Sequence, residues 1–234
     1  MSARLSAAVS PSYCKDIEAL LRSHANEEAA EAMSAYMRGL FPFLGIRTPE
    51  RTSLTKTFMK EHGVPSGDEL EKVVRELWGM PEREFHYTAM MMMEKRKKEL
   101  GPEDAPMLEF IVTTNSWWDT VDLIASHLVG TLFAKYPEMV KPYTEKWMGE
   151  SDNLWLRRTA ILFQLGYKAK TDVPLLFDLI RRTAHEEDFF IRKAIGWALR
   201  EYGKTDAAAV KQFVAETELS PLSVREALKH IGNS

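Results

Sequence analysis

Trp155-Leu156-Arg157-Arg158, closing at Gly166-Tyr167, and Phe190-Ile191-Arg192-Lys193, closing at Glu201-Tyr202, run in the same register 35 residues apart. Arg83-Glu84-Phe85, Trp117-Trp118-Asp119 and Ser223-Val224-Arg225 open comparable segments at spacings of about 33 to 37 residues. A unit of that length is a helix pair that cannot bury its apolar face alone, so neighbouring pairs must stack.

Around these segments the signals are helical throughout. No alternating Val/Ile/Thr run and no Asn-Gly hairpin turn is present. Apolar periodicity predicts helices over 14–24, 26–41, 49–62, 68–78, 82–99, 103–112, 117–134, 137–148, 152–166, 172–184, 187–202, 206–216 and 221–231. Short turns divide them, marked by Thr48-Pro49, Met80-Pro81, Tyr136-Pro137, Gly166, Gly203 and Ser220-Pro221. The expected fold is all-α: an α-solenoid of HEAT-like helix pairs in a curved array, with the recurring helices lining a concave groove. That groove would receive Trp, Arg and Lys side chains near helix starts. One domain over residues 1–234 is expected, with the Ser/Ala-rich residues 1–12 outside the ordered array.

Composition sets limits. Apolar residues make up 45% and charged residues 28%, as in soluble globular proteins. No run of eighteen apolar residues occurs, so no transmembrane helix is expected. The N-terminal dozen residues lack the apolar core of a signal peptide. One cysteine, Cys14, excludes an internal disulfide and fits a reducing cytosol. The net charge of −3 divides unevenly: residues 151–234 carry 13 Lys+Arg against 11 Asp+Glu, residues 1–150 carry 18 against 23. Nucleic-acid binding would therefore need a local basic face.

The stretch Asn115 to Asp122 separates into roles. Ser116 and Asp119 fit a capping box, and Trp117, Val121, Ile124 and Leu128 form an apolar stripe at spacings of four, three and four. Trp118 and Asp122 lie one turn apart on a neighbouring face, required by neither job. An aromatic plate beside a carboxylate suits a cationic or cation-forming ligand. A plainer reading has Trp118 packed under an adjacent helix and Asp122 paired with a surface Lys or Arg. Arg158 shares the stripe of Leu154, Ile161 and Leu165, where a charge needs a partner. Asp122 is one candidate, a phosphate another, and a side chain snorkelling to water a third. Trp197 shares a stripe with Phe190 and Ala194 and, taken alone, reads as core.

In Leu44 to Arg51, Thr48 is a suitable N-cap and Pro49 a suitable first helical residue. That helix start, flanked by Arg47 and Arg51, could hold a phosphate or present solvated arginines. Met90 to Met93 read as core filling, and His185-Glu186-Glu187 as a polar turn. No His-Glu-x-x-His, Cys/His ligand spacing, Gly-rich phosphate loop or Gly-x-Ser-x-Gly occurs. No metal and no cofactor is expected.

Ser116–Asp122, Asp152–Arg158 with the following Ala160–Leu165, Ala194–Tyr202, Phe43–Arg51 and Pro221–Ile231 together resemble the AlkD family of bacterial DNA alkylation-repair glycosylases. The resemblance runs in order from about Ser23 to Ile231. It implies an enzyme that binds duplex DNA in its groove and excises N3- and N7-alkylated purines carrying positive charge. Carried over by position, Asp122 is the catalytic carboxylate, Trp118 and Trp197 are plates against the lesion's deoxyribose, and Arg158 holds the DNA backbone. Tyr36, Arg47, Thr48, Arg51, Arg157, Lys193 and Arg225 are the expected DNA contacts. Arg47 stands where the family pattern has Gln. The implied partner is double-stranded DNA containing alkylated purines, bound by a cytoplasmic, nucleoid-associated monomer with no membrane and no obligate protein partner. Asp122, in the second turn of its helix, is expected to be held ionised by the helix dipole. A catalytically silent DNA-binding relative would share this fold. A protein-binding scaffold would instead show an apolar or acidic groove without the Trp/Asp pairing.

Overall fold

The computed structural model describes residues 9–149 and 152–229, and every regular element among them is helical. The chain divides into two compact units, residues 1–100 and 101–234. The expectation for residues 1–12 falls chiefly on residues 1–8, outside the described ones. From Ser10 a turn leads into the first helix, with Ser12 Oγ donating to Asp16 Oδ2 at 2.6 Å. No helix among the described residues is long and apolar enough to cross a membrane.

In the first unit, α1 (Tyr13–Arg22) turns Tyr13, Ile17 and Leu21 inward at intervals of four. It packs on α3 (Thr48–His62) and α4 (Gly67–Trp78), which in turn pack on α5 (Arg83–Arg96). Helix α5 is buried almost all round, and Met90, Met92 and Met93 fill the core as expected. Between them, α2 (Glu27–Tyr36) buries no side chain fully and leaves Tyr36 73% exposed. The helix expected to reach residue 41 stops at Tyr36, because Arg38 and Gly39 take positive φ and Pro42 follows.

The chain then runs extended to Arg47, held by the buried Glu84 of α5. Its carboxylate accepts backbone N–H groups from Leu44 at 2.9 Å, Gly45 at 2.9 Å and Ile46 at 3.1 Å. A buried carboxylate is tolerated where such donors saturate it. Beside it, Arg83 lies 3.9 Å over the Phe41 ring and donates through Nη1 to His86 Nδ1 at 3.0 Å. His86 Nε2 in turn meets the Met80 carbonyl at 2.9 Å, which makes that nitrogen the protonated one.

The second unit carries the repeat. Trp118–Leu123 (α6), a π-helical stretch Ile124–Val129 and Gly130–Lys135 (α7) form one continuous rod. That rod, Leu154–Leu162 (α8), Phe189–Gly203 (α9) and Pro221–Ala227 (α10) pack side by side as one layer. These are the helices whose starts recur in the sequence. A second layer of Ala105–Thr113 (α11), Val140–Gly149 (α12), Val173–Thr183 (α13) and Ala207–Glu216 (α14) backs them. Polar contacts tie each pair to the next at the same sequence interval: Lys146 to Glu109 and Arg182 to Glu145 are 37 residues apart, as are Tyr167 Oη and the Gly130 carbonyl. Expectation and structure agree on an all-α solenoid.

Helices α9 and α10 approach each other closely at Gly196. A Cβ added at Gly196 would stand 2.5 Å from Glu226 Cβ and 2.9 Å from the Ser223 carbonyl oxygen. Gly196→Ala should therefore cost about 2–3 kcal/mol by forcing the helices apart. Thermal unfolding followed by circular dichroism should show the midpoint falling by roughly 5–10 °C.

Candidate active site

Asp122 is the penultimate residue of α6, two residues before the π-helical stretch. Its side chain is 15% exposed and that of Arg158, on the adjacent α8, only 5%. The two meet in a bidentate pair: Arg158 Nε donates to Oδ1 at 2.6 Å and Nη2 to Oδ2 at 2.8 Å. Nη1 donates to the Phe190 carbonyl at the start of α9. One guanidinium thus joins three successive repeats.

Local capping fixes each partner. Asp188 Oδ1 accepts from Phe190 N at 2.7 Å and Ile191 N at 3.2 Å, setting the first turn of α9 and the direction of the Phe190 carbonyl. Asn153 Oδ1 does the same for Trp155 N at 2.9 Å. The Phe190 ring lies 4.8 Å from Trp117 and 5.1 Å from Trp155, centre to centre, and 5.9 Å from Arg158 Cζ. An aromatic wall therefore borders the ion pair.

Burial pushes the Asp122 carboxyl above the ordinary aspartate range, and the neighbouring Asp119 adds to this; the hydrogen bonds and charge of Arg158 pull it back only in part. The helix-dipole expectation pointed the other way. Desolvation at the depth where the carboxylate lies opposes the field of the helix start.

The capping box is also corrected. Trp117, in extended conformation, occupies the N-cap and makes no side-chain capping bond, and Ser116 Oγ donates backward to the Val112 carbonyl at 2.6 Å. Val121, Ile124 and Leu128 are buried as the stripe required. After Asp122, Ser126 Oγ donates to the Asp122 carbonyl at 2.7 Å, within the π turn. Single π turns inside α-helices recur at functional sites.

The family model for DNA alkylation repair enzymes matches residues 17–231. The chain belongs to that family. Among solved structures, a protein from Enterococcus faecalis described as a predicted DNA alkylation repair enzyme is similar to it, at 34% identity and a TM-score of 0.82. The match covers 90% of this chain and 98% of that one. A comparison with curated proteins gives no significant match. A DNA alkylation repair enzyme needs a place for DNA and a reactive group, and the residues read from the sequence are distributed as follows.

Asp122 and Arg158 are brought into direct contact. Trp118 is half-buried one turn before Asp122 on the same helix, and Trp197 is half-buried on α9 against the apolar core. Arg157 is engaged by Glu186, Nε to Oε1 at 3.0 Å. Lys193 Nζ lies 3.1 Å from Glu226, which Arg200 also binds at 2.7 Å; Lys193 and Arg200 together hold the Glu226 carboxyl below its usual range. Arg225 is exposed. In the first unit, Tyr36, Arg47 and Thr48 are exposed. Arg47, not Thr48, is the N-cap of α3, so Thr48 and Pro49 open the helix.

Arg51 is the clearest departure from the expectation of a phosphate-flanking, DNA-contacting or solvated arginine. It is 8% exposed, with its guanidinium 4.2 Å over the Tyr87 ring. The signal was present, because Arg51, Thr55, Phe58 and Met59 share one buried face of α3 at helical spacing. Phe190 and Asp188 were not singled out for the site. The Asp188 cap was readable, but a backbone carbonyl as the third partner of Arg158 was not.

Proposed function

We propose that this family member is a DNA glycosylase that hydrolyses the N-glycosidic bond of N3- and N7-alkylated purines in duplex DNA. The observation that carries the reading is one carboxylate, Asp122, only 15% exposed, gripped by Arg158 and bordered by aromatic rings.

A glycosidase ordinarily needs two carboxylates because its leaving group must be protonated. A purine alkylated at N3 or N7 is already cationic. When its bond to C1′ breaks, the bonding pair passes to the base nitrogen and the base departs neutral. The sugar is left with oxocarbenium character, water adds to C1′, and that water's proton is released. An ionised Asp122 stabilises the positive sugar and orients the water. Trp118 and Trp197 offer ring faces that attract the same charge. Arg158 is then a positioning residue: it fixes the plane of the carboxylate and favours its ionised form. DNA contacts fall to Tyr36, Arg47, Thr48, Lys193 and Arg225, with Arg157 turned to Glu186 and Arg51 supporting α3 from within. This assigns a resting structure in which Arg158 faces the carboxylate, so the lesion's charge supplements a cation already in place.

The pH profile tests the pair. With its carboxyl raised by burial, Asp122 should lose its charge, and the enzyme its activity, at a higher pH than an ordinary aspartate would. Arg158→Met removes the influence that lowers the carboxyl, so the acid limb of single-turnover excision should move further up. Activity of the variant should then recover in part at alkaline pH. An equal loss at every pH would mean that Arg158 acts only on folding or DNA binding.

A further inference from the structure

At the opposite end of α8 from Trp155, the second unit holds a cleft of about 410 Å³ that the proposed chemistry does not use. Phe133, Val140, Phe163, Tyr167 and Leu175 line it, together with Lys170 at its rim. Its volume falls in the range that accommodates small organic ligands. The walls are fixed beforehand. Tyr167 Oη donates to the Gly130 carbonyl at 2.6 Å, and the Phe163 ring stands edge-on to Tyr167 at 5.8 Å and to Phe133 at 5.2 Å. The Gln164 side chain clamps the far wall, accepting from Asp172 N at 2.7 Å and donating to Asp172 O at 3.3 Å.

The charges at the rim are unequal in availability. Asp172 is committed as the N-cap of α13, its Oδ1 accepting from Leu175 N at 3.1 Å. Lys170 is exposed, and no carboxylate among the described residues lies within ion-pair distance of it. An apolar floor with one available ammonium at its edge is complementary to an amphipathic anion. We infer that this cleft is a binding site for a small amphipathic anion, with an aromatic or short aliphatic body on Phe133, Phe163 and Tyr167 and a carboxylate or sulfonate toward Lys170.

The test uses the full chain and 8-anilinonaphthalene-1-sulfonate as probe, with decanoate as competitor. Ala134 lies exposed on the cleft wall, so Ala134→Trp fills the space from a position that tolerates a larger side chain. Lys170→Glu reverses the rim charge without touching the floor. The expected result is one saturable site displaced by decanoate, weakened by about tenfold or more in each variant while both keep the parent melting temperature. Absence of saturable binding, or binding equally strong in both folded variants, would overturn the assignment. Displacement by an acidic peptide but not by decanoate would overturn it too, in favour of a protein contact.

Discussion

Asp122→Asn should lower release of 7-methylguanine and 3-methyladenine from methylated duplex DNA by about 10²–10³-fold, the scale of losing a group that acts on transition-state charge. Binding to the same duplex should change little, because the substitution removes one negative charge and no cation. The amide keeps one oxygen for the Arg158 fork but turns an N–H₂ toward the other donor, which should cost about 1–3 kcal/mol of stability. Measuring excision well below the variant's melting temperature separates the two effects. Excision that continued at the parent rate would remove Asp122 from the chemistry. Binding without excision by the parent protein itself would point to a silent relative.

The second large effect is structural. Gly45 has φ +88°, and a Cβ placed there would stand 2.0 Å from the Asn26 carbonyl oxygen and 2.7 Å from Ala30 N. Both are backbone atoms at the start of α2, so no side chain can swing aside. Gly45→Ala also strains a left-handed backbone. The cost should be roughly 3–5 kcal/mol, or about 10 °C in the melting midpoint. The damage should concentrate on α2, which is tied to the following segment by Asn26 N to Leu44 O at 2.8 Å and Ser34 Oγ to Phe41 O at 2.9 Å. Hydrogen exchange along α2 should therefore rise more than exchange in α13 or α14.

Both effects depend on features of unequal visibility in the sequence. The helix pairs were legible because their spacing near 35 residues repeats with the same residue types at each start, and stripes such as Val121, Ile124 and Leu128 report burial directly. The partnership of Arg158 was narrowed to a few candidates, since a cation on an apolar stripe must be answered. What could not be read is geometry between separate segments. The Phe190 carbonyl has no side-chain signature, and the depth that raises the Asp122 carboxyl depends on three helices at once. Helix ends failed where backbone conformation decided them: Arg38 in a left-handed conformation ended α2 early, and an extended Trp117 replaced the expected Ser116 cap. Arg51 was misplaced because arginine was weighed by its charge before its position on the α3 stripe.

The π turn after Asp122 bears on how such a site could change. Bonding from residue i to i+5 stores one residue more than an α-helical turn does, so Ile124–Val129 amounts to an α-helix holding an insertion. Deleting one residue there would restore an ordinary α-helical turn with little rotation of Asp122 relative to Gly130, whose carbonyl Tyr167 grips. A single lost codon could thus close the wide turn beside the carboxylate while leaving Asp122 facing Arg158 and every helix of the array in its place. Length within that rod, rather than the identity of its residues, is the variable through which relatives could gain or lose this turn while keeping the pairing.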